Sequence, residues 1–149
     1  MPTIDVRPLQ PSDREAWSSL WRGYLDFYRT ERPPDIYDLL WERLLGSEPG
    51  DGHGLIARAD GAPVGLAHYY FQRHGWYAEQ VVYLQDLYAA PSARGTGVGR
   101  ALIEAVYAAA DAADCPRVYW TTEDNNAVAR RLYDRIGELT PFIKYQRAI

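Results

Sequence analysis

The stretch from Tyr83 to Val106 limits the possible fold more than any other part of the 149-residue chain. A run rich in aromatic and β-branched residues reaches Pro91. Glycines then recur at every second position, Gly95, Gly97 and Gly99. An apolar pattern follows at helical spacing, Val98, Leu102, Ala105, Val106 and Ala109. A strand therefore turns sharply into a helix. The glycines allow positive φ and close approach of the backbone to a ligand. The helix start offers free N–H groups and the positive end of the dipole to an anion. Arg94 and Arg100 add positive charge on either side. A Walker loop would need Lys and Ser or Thr after the last glycine, whereas Gly99 is followed by Arg100 and Ala101. A dinucleotide fingerprint would place its third glycine one position later than Gly99. The spacing that fits is Arg-x-x-Gly-x-Gly, from Arg94 to Gly99.

Upstream, Thr3–Leu9 alternates as a strand. Pro11-Ser12-Asp13 opens a helix that runs to Tyr28, with Ser12 or Asp13 as its N-cap. Pro33-Pro34-Asp35 breaks it and starts a second helix over Ile36–Leu45. Strands over Gly54–Ala59 and Pro63–Phe71 meet at Asp60-Gly61, a hairpin signal, and a third strand covers Gln80–Ala90. Beyond Pro116 come a short strand over Arg117–Thr121, a helix over Asn126–Ile136 ended by Gly137, and a final strand over Leu139–Gln146. The order is β-α-α-β-β-β-α-β-α-β, within one domain spanning residues 1–149. Early hairpins followed by a β-α-β crossover imply a mixed sheet with helices on both faces, an α/β (α+β) architecture.

The net charge of −4 argues against nucleic acid as a partner. Nowhere is there an apolar run near ~18 residues, so no membrane span is expected. The lone cysteine, Cys115, cannot form an internal disulfide and points to a reducing, cytoplasmic setting.

Two motifs resemble the GNAT superfamily of N-acetyltransferases. The first is Leu87-Tyr88-Ala89-Ala90-Pro91-Ser92-Ala93-Arg94-Gly95-Thr96-Gly97-Val98-Gly99, with Ala89 where the family usually has Val. The second is Asn126, Ala129, Leu132, Tyr133 and Gly137, followed by Glu138 in place of the usual Phe. Within the superfamily, Gly65–Phe71 and Tyr83–Leu87 look like the diamine and polyamine enzymes. Arg117–Asn126 is similar to the fungal histone/polyamine acetyltransferases. The resemblance implies a mostly antiparallel mixed sheet of about 6–7 strands, acetyl-CoA as co-substrate, no metal, a small-molecule amine as acceptor, and a homodimer.

It also implies roles. The strand at Leu87, Tyr88 and Ala89 would hold the pantetheine arm through its backbone. The N–H groups from Gly95 through Thr96, Gly97, Val98 and Gly99 to Arg100 would hold the pyrophosphate. Asn126 would contact the pantetheine side of the cleft, and Tyr133 would be the general acid. A primary amine of pKa about 10.4 must lose a proton before attack. The polyamine relatives carry Glu where this chain has Gln85, which cannot accept one. Asp86, on the opposite face of a regular strand, Glu31, Glu123 or a water chain remain as bases, with His68 and His74 titrating in a useful range. Trp17, Trp21, Tyr24 and Tyr28 share one helix face, read either as core or as an acceptor wall. Tyr69 joins the substrate candidates.

Overall fold

A computed structural model describes residues 1–149. Five strands form one sheet in chain order: β1 (Ile4–Pro8), β2 (His53–Ala59), β3 (Ala62–Gln72), β4 (Val81–Ala89) and β5 (Val118–Tyr119). The first four pair antiparallel, as short connections allow. β5 lies parallel to β4 because the intervening chain crosses over through a helix. The helices are α1 (Arg14–Phe27), α2 (Pro34–Leu45), α3 (Val98–Ala112) and α4 (Ala127–Ile136).

The alternation of each strand divides the core in two. Leu55, Ala57, Ala67, Val82 and Leu84 point to one face, where α3 covers them with Val98, Leu102, Ile103 and Val106. Ile56 and Leu66 point to the other, under Trp17, Leu20, Trp21 and Leu25 of α1 and Leu44 of α2. α4 joins the α3 side through Leu132, Tyr133 and Ile136. Gly65 lets the layers meet: a Cβ there would come within 2.8 Å of both the Tyr88 carbonyl oxygen and Val98 Cγ1.

Three expectations need correction. The sheet has five strands, fewer than the resemblance implied, because Leu139–Gln146 forms none. A strand exists only by pairing, and β5 is a two-residue edge that the chain's own tail does not join. Leu139, Phe142, Ile143 and Tyr145 are left 76–88% exposed. Second, α1 is preceded by a 3-10 turn over Pro11–Asp13, and Asp13 stands at the N-cap position as expected but turns its side chain back onto Gln10 rather than onto the helix. Its carboxylate accepts the N–H of Gln10 at 2.8 Å and pairs with Arg58 at 2.8 Å and Arg7 at 3.3 Å. Third, β4 is not regular. The register passes from His68↔Asp86 to Tyr69↔Leu84, so Gln85 is an unpaired, exposed bulge residue.

Candidate active site

β4 and β5 pair only at Val82↔Val118 and Tyr83↔Tyr119, where the two tyrosine rings stack at 4.9 Å. Beyond that point they part. The β4 edge turned away from β3, from Leu84 to Ala89, has no strand beside it. A wedge of free backbone donors and acceptors opens there, and Leu87, Tyr88 and Ala89 line it. The Tyr88 ring packs against Gly23 and lies edge-on to Tyr24 at 6.5 Å.

The glycine turn closes the far end of this wedge. Gly95 and Gly97 have φ of +79° and +92°, and Gly97 caps α3 in the left-handed conformation. Ala101 is the first residue of α3 to donate back into the turn, to the Gly97 carbonyl. The N–H groups of Val98, Gly99 and Arg100 are therefore unspent, as at any helix start. The Thr96 hydroxyl donates to the Ala93 carbonyl and steadies the turn. Arg94 lies over the Phe27 ring at 5.7 Å, and Arg100 pairs with Glu104 at 2.8 Å. Gly99 serves packing: a Cβ there would lie 3.2 Å from Leu132 Cδ2 on α4.

Asn126 is the N-cap of α4. Its Oδ1 takes the Ala129 N–H and its Nδ2 donates to Thr122 Oγ1. About two turns further, Tyr133 sits edge-on to Trp120 at 5.5 Å. Burial, with a smaller contribution from Tyr28, pushes its phenol up to about 12. Tyr133 on α4 and Tyr28 at the end of α1 thus approach from opposite sides of the wedge.

The aromatic face of α1 divides along its length. Trp17 and Trp21 are core, stacked at 5.7 Å, while Tyr24 and Tyr28 reach outward. Beneath them is the buried carboxylate of Asp86. His68 Nδ1 lies 2.8 Å from Asp86 Oδ2, and Trp17 Nε1 donates to His68 Nε2 at 2.9 Å. Burial works to raise the Asp86 carboxyl. The hydrogen bond from His68, helped by Tyr24 and Trp21, outweighs it and holds the group below the usual carboxylate range. The Trp21 N–H sits beside the carboxylate but outside hydrogen-bond geometry, and has no other partner. Burial raises the phenols of Tyr24, Tyr28 and Tyr70, and the Asp86 charge adds to each. For Tyr28, Glu123 contributes more than Asp86 does.

Other candidates lie elsewhere. Tyr69 is buried on the α3 face, stacked on His53 at 5.2 Å, and the neighbouring Tyr70 faces the Asp86 side instead. The parity of β3 counted from His68 would have found Tyr70. Glu31 lines a polar groove of about 500 Å³ between α1 and the start of α2, with Arg14, Arg22 and Arg32. His74 is an exposed loop residue that accepts the Trp76 N–H. A cavity of about 540 Å³ beside Ser12, Ser19, Tyr88 and Ala90 includes neither Tyr133 nor Asp86. No helix is long and apolar enough to cross a membrane.

A splayed strand pair and a glycine-capped helix start meet at a cleft bordered by the half-buried Tyr133, with the carboxylate of Asp86 under the tyrosines of α1. Residues 15–137 match the model of the acetyltransferase (GNAT) family, and the chain belongs to that family. It is 37% identical over 97% of its length, and 90% of the relative's, to the D-amino-acid N-acetyltransferase HPA3 of Saccharomyces cerevisiae. It is 34% identical to an aminoglycoside N(6')-acetyltransferase type 1 of Stenotrophomonas maltophilia, over 74% of this chain and 69% of that one. The fold matches that of aminoglycoside N-acetyltransferase AAC(6')-Iy in complex with CoA, with a TM-score of 0.84, 23% identity, and 99% and 96% of the two chains covered. The chain is an N-acetyltransferase and acetyl-CoA is its co-substrate. The open β4 edge and the unspent N–H groups of the α3 start fit that group.

Proposed function

We propose that the chain acetylates the primary amine of a small molecule, an amino acid or a short diamine or polyamine. The observation that carries this is Asp86, an ionised carboxylate under the tyrosines of α1, with Tyr28 facing Tyr133 from across the wedge. The relative acting on D-amino acids favours the amino acid. Gln85, standing where polyamine enzymes carry Glu, weighs against the polyamine.

Acetyl-CoA supplies the acetyl group, carried as a thioester. The unspent N–H groups of the Gly95–Arg100 turn, those of Val98, Gly99 and Arg100 foremost, hold its pyrophosphate, and the β4 backbone at Leu87 and Ala89 holds the pantetheine arm. Asp86 and the faces of Tyr24 and Tyr28 draw in the cationic amine. The amine gives its first proton to solvent, at a cost of about 4 kcal/mol at neutral pH, and solvent returns one to Tyr133 after turnover. Asp86, kept ionised, takes the second proton, which the nitrogen surrenders as its bond to carbon forms. Tyr133 Oη supplies the proton that the leaving sulfur takes.

The reading includes a cytoplasmic homodimer. Its support is the apolar tail, exposed at four positions and unpaired within the chain. Thiol release measured over D- and L-amino acids, diamines, polyamines and aminoglycosides tests the acceptor. Turnover on an amino acid or a diamine is expected. Acetyl-CoA binding by calorimetry without turnover on any amine would make the protein a binding module instead.

A further inference from the structure

We infer that His68 is a positioning residue for Asp86, locked by Trp17 into a single neutral tautomer that points one carboxylate oxygen away from the amine and leaves the other for it. This rests on the reading of Asp86 as the group that meets the acceptor.

The chemistry of the three side chains fixes the proton. An indole N–H can only donate. With Trp17 Nε1 at 2.9 Å, His68 Nε2 must therefore present a lone pair, and the neutral ring carries its hydrogen on Nδ1. That hydrogen faces Asp86 Oδ2 at 2.8 Å. A doubly protonated ring would set an N–H against the Trp17 N–H and leave a buried donor without a partner. The chain of contacts starts in the core and ends at the wedge. Trp17 and His68 are wholly buried, while the Asp86 side chain keeps 10% of its surface. His68 takes Oδ2, and the Tyr24 hydroxyl and the Trp21 N–H lie close enough to the carboxylate to help hold its charge.

The supports come from separate elements, so the arrangement resists rotation as a unit. α1 supplies Trp17 and packs the Trp21 ring 6.5 Å from the imidazole. β3 supplies His68 and β4 supplies Asp86, opposite one another at the last regular pair before the bulge. The titratable groups around the carboxylate are His68, Tyr24, Tyr28 and Tyr70, and burial raises each of these three phenols, so each is a neutral acid at physiological pH. The bulge at Gln85 brings Tyr83 onto the same side as Asp86. A core that needed only filling would be served by apolar residues at positions 17 and 68. A polar relay that ends on a partly exposed carboxylate orients that carboxylate.

Two measurements test the proposal. In a ¹⁵N-histidine spectrum of the whole protein, the neutral His68 ring is expected as the Nδ1–H tautomer. An Nε2–H tautomer, or a mixture of the two, overturns the inference whatever Asp86 does. Kinetically, Asn at position 68 can reproduce a donor at the Nδ1 place and Gln cannot. His68→Asn should keep most of kcat, whereas His68→Gln and His68→Leu should lose about 10–100-fold in kcat/KM for the amine. KM for acetyl-CoA should stay put in all three. Equal losses for Asn, Gln and Leu overturn it. Should the Leu variant fail to fold, Trp17→Phe decides. It keeps the imidazole and removes the lock, so mixed tautomers and a lower kcat are expected, and an unchanged tautomer with unchanged kinetics refutes the lock. Asp86→Asn separates the layers. Full activity there would defeat the reading of Asp86 itself. An inactive Asp86→Asn beside equal His68 variants would defeat only the positioning.

Discussion

At Tyr133 the fold protects a proton. The phenol is enclosed by Trp120 and the helix that carries it, and burial lifts it to about 12. Leaving water disfavours the phenolate, so the group stays an acid across the range in which a thiolate must be protonated. Tyr133→Phe keeps the edge-on contact with Trp120 and deletes only the proton. Its kcat is expected to fall about 100-fold, with the acetyl-CoA dissociation constant unchanged by calorimetry. A variant of full kcat would remove Tyr133 from the chemistry. The pH dependence has a definite sign. The unfolded phenol loses its proton near a pH of about 10, before the folded one does. Stability due to this group is therefore present below that pH and drains away as pH climbs toward 12.

Among the elements, the tail is the anomaly. α4 ends at Gly137, where a Cβ would come within 2.8 Å of the Trp120 ring. The chain then presents Leu139, Phe142, Ile143 and Tyr145 to solvent. Apolar side chains in that density are costly to leave wet. The pattern that reads as a strand has lost only its partner, and a second copy can supply one along the free edge beyond β5. Light scattering should give a dimer for the full chain and a monomer after deletion of residues 138–149. A full chain that is monomeric at tens of micromolar would end the proposal. The glycine turn differs because it is complete within itself: Gly97 takes its positive φ and caps α3 without help from another copy.

For the molecule as a whole, the tie that spans most elements is Asp13. It joins the turn before α1 to Arg7 on β1 and Arg58 on β2, and is almost fully buried. Burial would raise its carboxyl, but the Gln10 N–H and the two guanidinium groups outweigh that and lower it. A lowered group stabilises above the unfolded value of about 3.9, and that stability disappears as pH falls through the folded value. Asp13→Ala strands the largely buried Arg58 and should cost about 3–5 kcal/mol near neutrality. Urea midpoints from pH 7 down to 3 check this. The wild type should weaken on acidification and the variant's curve should be flatter. Equal midpoints at pH 7 would show the cluster to be neutral.

Local order was legible because it is written in neighbouring residues. The glycine spacing at 95, 97 and 99, the apolar repeat of α3 and the Asn126–Gly137 pattern all act within a turn or two of the chain, so the sequence by itself determined the strand-turn-helix, the family and the cofactor. Alternation along β3 was equally visible, but a period of two says nothing of which face meets α1, which is why the sequence did not tell that Tyr69 lies on the α3 face and Tyr70 on the Asp86 side. The bulge at Gln85, the link from Trp17 through His68 to Asp86, and the Arg7–Asp13–Arg58 cluster join residues up to 51 apart in the chain. Only cross-strand register and helix packing decide such contacts. The tail marks the same boundary from the other side: the sequence endows it with strand-forming residues, and the tertiary structure of one chain offers no edge that it joins.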